Sequence, residues 1–273
     1  MRRDRAKEER DFEELTSVNS TQHINETKTR VKRLISKDTK IIAKNDSQKK
    51  LIQSIRNNEI TICAGPAGTG KTFVALALAL SLLRKEGNRF KTIYLVKSIK
   101  TLKDEEVGFL KGELKDKIDP AMWSFYINIE KMIMKSTLST LLMEDIIRPF
   151  PLSYIRGSSL DDCIIIADEM QNVTFDNSRT LLTRIGSNCK LLVLGDINQI
   201  DLKNKNDSSL KVLLELFEGI DDIGVVRMSE ADTNIRNPLI NVIEKQYNDY
   251  IKTHITNGNG LSNGNGKKQQ LND

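Results

Sequence analysis

The chain has 273 residues, with 42 Lys and Arg against 37 Asp and Glu, a formal net charge of +5, and 38% hydrophobic and 29% charged residues. That surplus is too small to name nucleic acid as a partner, while the composition is that of a soluble globular protein long enough to bury a core. No apolar run nears the roughly 20 residues that cross a bilayer, no secretory signal follows the basic N-terminus, and His23 and His254 are too few for a zinc site or a His-based triad.

In chain order, residues 1–40 mix both charge signs without a sustained apolar period and are expected to be a charged, partly disordered segment. A helix is predicted over Ser47–Asn57, then a β-branched strand over Ile60–Cys63 and an Ala/Leu-rich helix over Lys71–Lys85. Further strands are predicted at Thr92–Val96, Cys163–Ala167, Leu191–Leu194 and Gly224–Met228, with helices at Pro120–Met143, Asn177–Ile185, Ser209–Glu218 and Pro238–Ile251 between or after them. Strand alternating with helix predicts an α/β fold in which a parallel β-sheet is sandwiched by helices, a single domain over 41–252. Residues 253–273 form a Gly/Asn-rich tail expected to be disordered. The three cysteines, Cys63, Cys163 and Cys189, sit in apolar segments and read as reduced core thiols of a cytoplasmic protein.

The first predicted strand runs into Gly65-Pro66-Ala67-Gly68-Thr69-Gly70-Lys71-Thr72, which satisfies G-x-x-x-x-G-K-S/T at every required position. Its glycines permit a backbone that turns successive N–H groups toward phosphate oxygens, and the helix that follows adds a partial positive charge at the same place. Lys71 is expected to reach the β and γ phosphates and Thr72 to offer its hydroxyl to Mg²⁺, so ATP and Mg²⁺ are the expected cofactors. A later apolar strand ends in Asp168-Glu169; Asp168 is expected to hold the metal's shell and Glu169 to polarise an attacking water, although an acidic pair also suits a helix N-terminus. Another strand ends in Gly195-Asp-Ile-Asn-Gln199, where Gln199 is the candidate sensor of the terminal phosphate or the water and Asp196 a supporting group. Asn45-Asp-Ser-Gln48 leads into the first helix; an amide can pair with N6 and N7 of adenine, so Gln48 is the candidate for base selection, but Asn, Asp and Ser also make plain helix caps. Arg156, Arg184 and Arg236 are the arginines placed beside turn residues, each able to neutralise charge on a transferring phosphoryl group.

These blocks, in this order, resemble the PhoH-like family over about Asn45 to Tyr247. The likeness rests on Asn45 and Gln48, the phosphate loop, Gly108-Phe-Leu-Lys-Gly-Glu-Leu114 with Lys117 and Asp119-Pro120, and Pro151-Leu-Ser-Tyr-Ile-Arg-Gly157. It continues through Asp168-Glu-Met-Gln-Asn172, Leu182–Gly186, Gly195–Leu202, and a looser match at Asp232, Arg236, Pro238 and Leu239. The resemblance implies a RecA-like P-loop NTPase fold similar to the first half of superfamily 1 helicases, and a catalytic set of Lys71, Glu169, Gln199 and Arg236. The chain departs from the family at Lys97 and Ser98, where Arg-Pro is usual, at Ser158, where a basic residue is common, and at Met170, where Ala is usual. Lys97 keeps the charge but not the planar fork.

What the resemblance implies is an ATPase coupled to single-stranded RNA or DNA, working as a homo-oligomeric ring in which a neighbour supplies an arginine. The alternative is a nucleotide-gated binding switch that hydrolyses slowly and moves no strand; 5% aromatic residues leave little for a base-stacking platform. A small-molecule kinase fits less well, because Glu169 and the Gly195–Gln199 cluster suit activation of water.

Overall fold

The computed structural model describes residues 34–35, 41–85, 89–97, 114–152, 155, 157, 159–229 and 238–250. Helix α1 (Asp46–Asn57) leads into β1 (Ile60–Ala64) and α2 (Lys71–Arg84). Next come β2 (Thr92–Lys97), α3 (Leu114–Glu130), α4 (Lys135–Met143) and β3 (Ile147–Pro149). The rest is β4 (Cys163–Asp168), α5 (Phe175–Leu182), β5 (Lys190–Gly195), α6 (Ser209–Leu216), β6 (Ile223–Arg227) and α7 (Pro238–Tyr250). The strands form one sheet in the order β3-β2-β4-β5-β1-β6, and every pairing is parallel.

Strand alternation sorts the core into two layers. Ile93, Leu95, Ile164, Ile166, Leu192 and Leu194 face the layer under α1 to α4, with Leu51, Leu78, Met122 and Phe125. Ile62, Ile165, Ala167, Leu191 and Val193 face the layer under α5 and α6, with Leu181, Leu210 and Leu213. Helix α2 is buried almost all round, from Val74 to Leu80, which is why its sequence reads Ala-Leu-Ala-Leu-Ala-Leu and not as an amphipathic stripe. Gly224 lets α1 come down directly on β6, since a Cβ there would meet Ser54 Oγ at 1.9 Å. All three cysteines are buried free thiols, and Cys163 and Cys189 bring their sulfurs within 3.6 Å.

The α/β sandwich follows the predicted one, with differences at β3 and at the helix predicted from Pro120, which begins at Leu114 and carries Pro120 inside it. β3 is an addition to the predicted strands, because three residues that include a proline carry almost no strand signal; it survives as an edge strand, where a missing donor is tolerated. The helix expected over Pro120–Met143 is two helices. A straight helix of that span would run about 36 Å, longer than the sheet is deep. The chain instead turns at 131–134, so that Ile133, Leu138 and Leu141 return to the core.

The strand order decides where the site lies. β5 stands between β1 and β4, so the phosphate loop after β1 and the acidic end of β4 flank the turn after β5. In an open parallel sheet the crevice beyond these carboxyl ends is where ligands bind.

Candidate functional site

The phosphate loop leaves β1 under tight restraint. Gly65 N–H donates to Gly195 O (3.1 Å), and a Cβ on Gly65 would meet Met228 Cβ at 2.5 Å. Gly68 and Gly70 both take φ 86°, the left-handed region where a side chain is strained, and Gly70 caps α2. Lys71 Nζ donates to Gly65 O (2.5 Å) and Pro66 O (2.8 Å), which holds the ammonium inside the curl of the loop. Burial holds the Lys71 ammonium below the usual lysine range, against the pull of Asp196, Asp168 and Glu169. Beneath it, burial pushes the Cys63 thiol up to about 12, so Cys63 is an apolar neighbour and not a nucleophile.

Thr72 on α2 donates its hydroxyl to Asp168 Oδ2 at 2.8 Å, joining the loop to the end of β4. Asp168 Oδ1 accepts the Glu169 N–H at 3.0 Å. Burial, and then the charge of Glu169, push the Asp168 carboxyl above its ordinary range, with the Thr72 bond opposing. Glu169 adopts φ 59°, ψ 34°, an uncommon conformation for a residue with a Cβ, and a 3₁₀ turn over Met170–Asn172 follows. The acidic pair thus ends a strand and does not open an α-helix. Glu169 Oε2 accepts from Gln171 Nε2 at 2.7 Å.

Lys71, Thr72, Asp168 and Glu169 line one cavity of about 600 Å³, together with Ala67, Gly68, Gly70, Asp196 and Gln199. Gln48, Ile42 and Lys131 line the same cavity. Gln48 Oε1 accepts the Lys44 N–H (2.9 Å) and its Nε2 donates to Thr69 O (2.9 Å), so the amide braces the segment before α1 against the loop. Asn45 does not line this cavity; its side-chain oxygen accepts the Gln48 N–H and caps α1. Thr69 is fully buried, with its hydroxyl on Pro66 O. Gly65 and Pro66 border a second cavity of about 360 Å³ on the far side of the loop, beside Asp196 and Arg227.

Asp196 is the bracket between the loop and β5: its Oδ2 accepts the Ala67 N–H (3.0 Å) and its Oδ1 the Asn198 N–H (2.9 Å). Gln199 is exposed on the cavity wall. Of the arginines, Arg156 and Arg236 lie outside the described residues. The backbone of Arg184 lies beside Leu160 before β4 begins, at the opposite end of the sheet from the cavity. Sequence reasoning gave no role to Gln171, although its place two residues after Glu169 was the available signal. The wall formed by Asn128, Lys131 and Met132 at the end of α3 was also missed, because nothing in a helix's own sequence says which ligand it faces.

Thr72 Oγ1 and Asp168 Oδ2 are the hard oxygen donors that Mg²⁺ takes. Among the described residues no group of three or more His, Cys, Asp or Glu could hold a metal. This donor set fits an ion that arrives on phosphate oxygens and keeps several waters.

The family model described as PhoH-like protein matches residues 40–248 of the chain. The PhoH-like protein of Bacillus subtilis (strain 168) is 34% identical over 212 residues, which is 78% of this chain and 65% of that protein. Protein PhoH of Escherichia coli (strain K12) is 32% identical over 201 residues, 72% of this chain and 56% of that protein. The chain thus spans roughly three-fifths of the length of these relatives. Among solved structures, the large terminase of a thermophilic bacteriophage aligns with a TM-score of 0.44 at 10% identity, over 76% of this chain and 51% of that one. On the family match and the identities across most of its length, the chain belongs to the PhoH-like protein family.

Proposed function

We propose that this chain binds ATP with Mg²⁺ and hydrolyses its terminal phosphate. One observation carries the reading: Lys71, Thr72, Asp168 and Glu169 converge on a single cavity, and Thr72 and Asp168 are already joined across it. The loop's N–H groups and Lys71 would take the phosphates, with Lys71 exchanging the Gly65 and Pro66 carbonyls for phosphate oxygens. Thr72 and Asp168 would hold Mg²⁺, which when bound offsets charge on the β and γ oxygens. Glu169 would accept a proton from water attacking the γ phosphorus, and Gln199 would orient that water or sense the phosphate. Gln48 has one N–H and one lone pair left beyond its two bonds, enough to read N7 and N6 of adenine. Arg236 is proposed, from the family resemblance, as the arginine that neutralises the transferring group, in its own subunit or a neighbour's.

Coupling of turnover to single-stranded RNA or DNA by a ring of subunits also rests on the family resemblance. Phosphate release should require Mg²⁺, stop with EDTA, and collapse in Glu169→Gln while ATP still binds. An unchanged rate in that variant would remove the water-activating role. Stimulation by single-stranded RNA or DNA, with salt-dependent binding, supports a motor; absence of both leaves the nucleotide-gated switch.

A further inference from the structure

We infer that Gln171 is the positioning residue of this site: it fixes the carboxylate of Glu169 and ties it, through Asp196, to the phosphate loop. The inference rests on the hydrolytic reading above.

Gln171 is fully buried, yet belongs to no layer of the apolar core. Its amide makes three bonds. Nε2 donates to Glu169 Oε2 at 2.7 Å and to Gln199 O at 3.2 Å, while Oε1 accepts the Asp196 N–H at 3.0 Å. Both amide hydrogens are therefore committed, and the orientation is not arbitrary. The Asp196 N–H needs an acceptor and the Gln199 carbonyl needs a donor, so only one of the two amide orientations serves all three partners. The sheet also makes room for this side chain. A Cβ on Gly195 would meet Gln171 Oε1 at 2.5 Å and Leu210 Cδ2 at 2.6 Å, so the glycine at the end of β5 is the cradle of the Gln171 amide.

Glu169 follows β4 in a left-handed conformation, and nothing in a strand end dictates where its side chain goes. The Gln171 bond supplies that direction. Because Asp196 Oδ2 accepts the Ala67 N–H, a continuous path runs from a phosphate-loop amide through Asp196 and Gln171 to the Glu169 carboxylate. A shift of the loop around phosphates is thereby passed to the group that must meet the water. Gln171 itself touches neither nucleotide nor water in this scheme; it acts through Glu169.

The test is a double-variant cycle with Gln171→Leu and Glu169→Gln, alone and together, reading kcat, KM, ADP affinity and thermal melting. Gln171→Leu alone should lower kcat about 100-fold, the cost of a reacting group misplaced by about an ångström, with KM and ADP affinity within about threefold. In the Glu169→Gln background the same change should make no further difference, since its target is already disabled. Gln171→Asn keeps the amide but is one methylene shorter and cannot reach Asp196 and Glu169 together; it should fall with the Leu variant and guards against a Leu variant that does not fold. Equal losses from Gln171→Leu in both backgrounds, a loss of ADP affinity matching the loss of kcat, or an unchanged kcat would each overturn the inference. If Glu169→Gln collapses hydrolysis and Gln171→Leu does not, only the positioning role fails. If Glu169→Gln itself leaves the rate intact, the hydrolytic reading fails and this inference with it.

Discussion

Two lysines are buried at opposite ends of the sheet, Lys71 at 8% exposure beside the carboxyl ends and Lys190 at 6% at the start of β5. Burial lowers the pKa of both. Their surroundings differ. Lys190 Nζ donates to Asn58 O at the end of α1, a favourable place for a cation, and polar groups nearby close turns: Lys91 pairs with Asp162 at 2.6 Å, and Asp161 accepts the Ser187 N–H. Lys71 instead stands among Asp168, Glu169 and Asp196 on a cavity wall, bonded to carbonyls that it can trade for another acceptor. A perturbed pKa therefore does not mark a site; convergence of several charges on open volume does.

The largest test of that contrast is Glu169→Gln, expected to lower kcat about 10³-fold with little loss of nucleotide affinity, measured by phosphate release and ADP titration. Next is Lys71→Met, expected to weaken ATP binding by about 100-fold or more, whereas Lys190→Met should leave it within about twofold; similar losses from both would break the distinction. Gln48→Ala should cost about tenfold in the preference for ATP over GTP, read by competition, because one bidentate contact is worth about 1–3 kcal/mol. The smallest effect is on stability against pH. Lys190 has a folded pKa below its unfolded value of about 10.5, so its charged form costs stability in full below the folded pKa, and the cost fades as pH climbs toward 10.5. Urea melts between about pH 7 and 10 should show wild type gaining on Lys190→Met as pH rises.

Much of this was legible because the residues concerned obey local rules. The phosphate loop is a sequence-contiguous device, and the short apolar runs of β1, β4 and β5, set between helical segments, suit buried parallel strands. The bonds of Gln171 to Asp196 and Gln199 could not be read from sequence, since these partners are 25 and 28 positions away and meet it only because β5 lies beside β4. The cap at Asn45 was legible, because Asn before a helix obeys a local rule and its side chain accepts the Gln48 N–H. The break between α3 and α4 has no Pro or Gly to announce it. Arg236 and residues 108–113 of the family's block lie outside the described residues.

The short edge strand β3 has a consequence for how copies of this chain can meet. Phe150 N–H bonds inward to Leu95 O, so by alternation Pro149 turns its backbone outward, where its ring nitrogen has no hydrogen to give. A strand from another molecule would find a gap at the rung it most needs on so short an edge. On the opposite margin, β6 presents Arg227, whose guanidinium folds back onto Glu218 and Leu214 O. Among the described residues, the β3 edge is thus blunted against growth by strand addition.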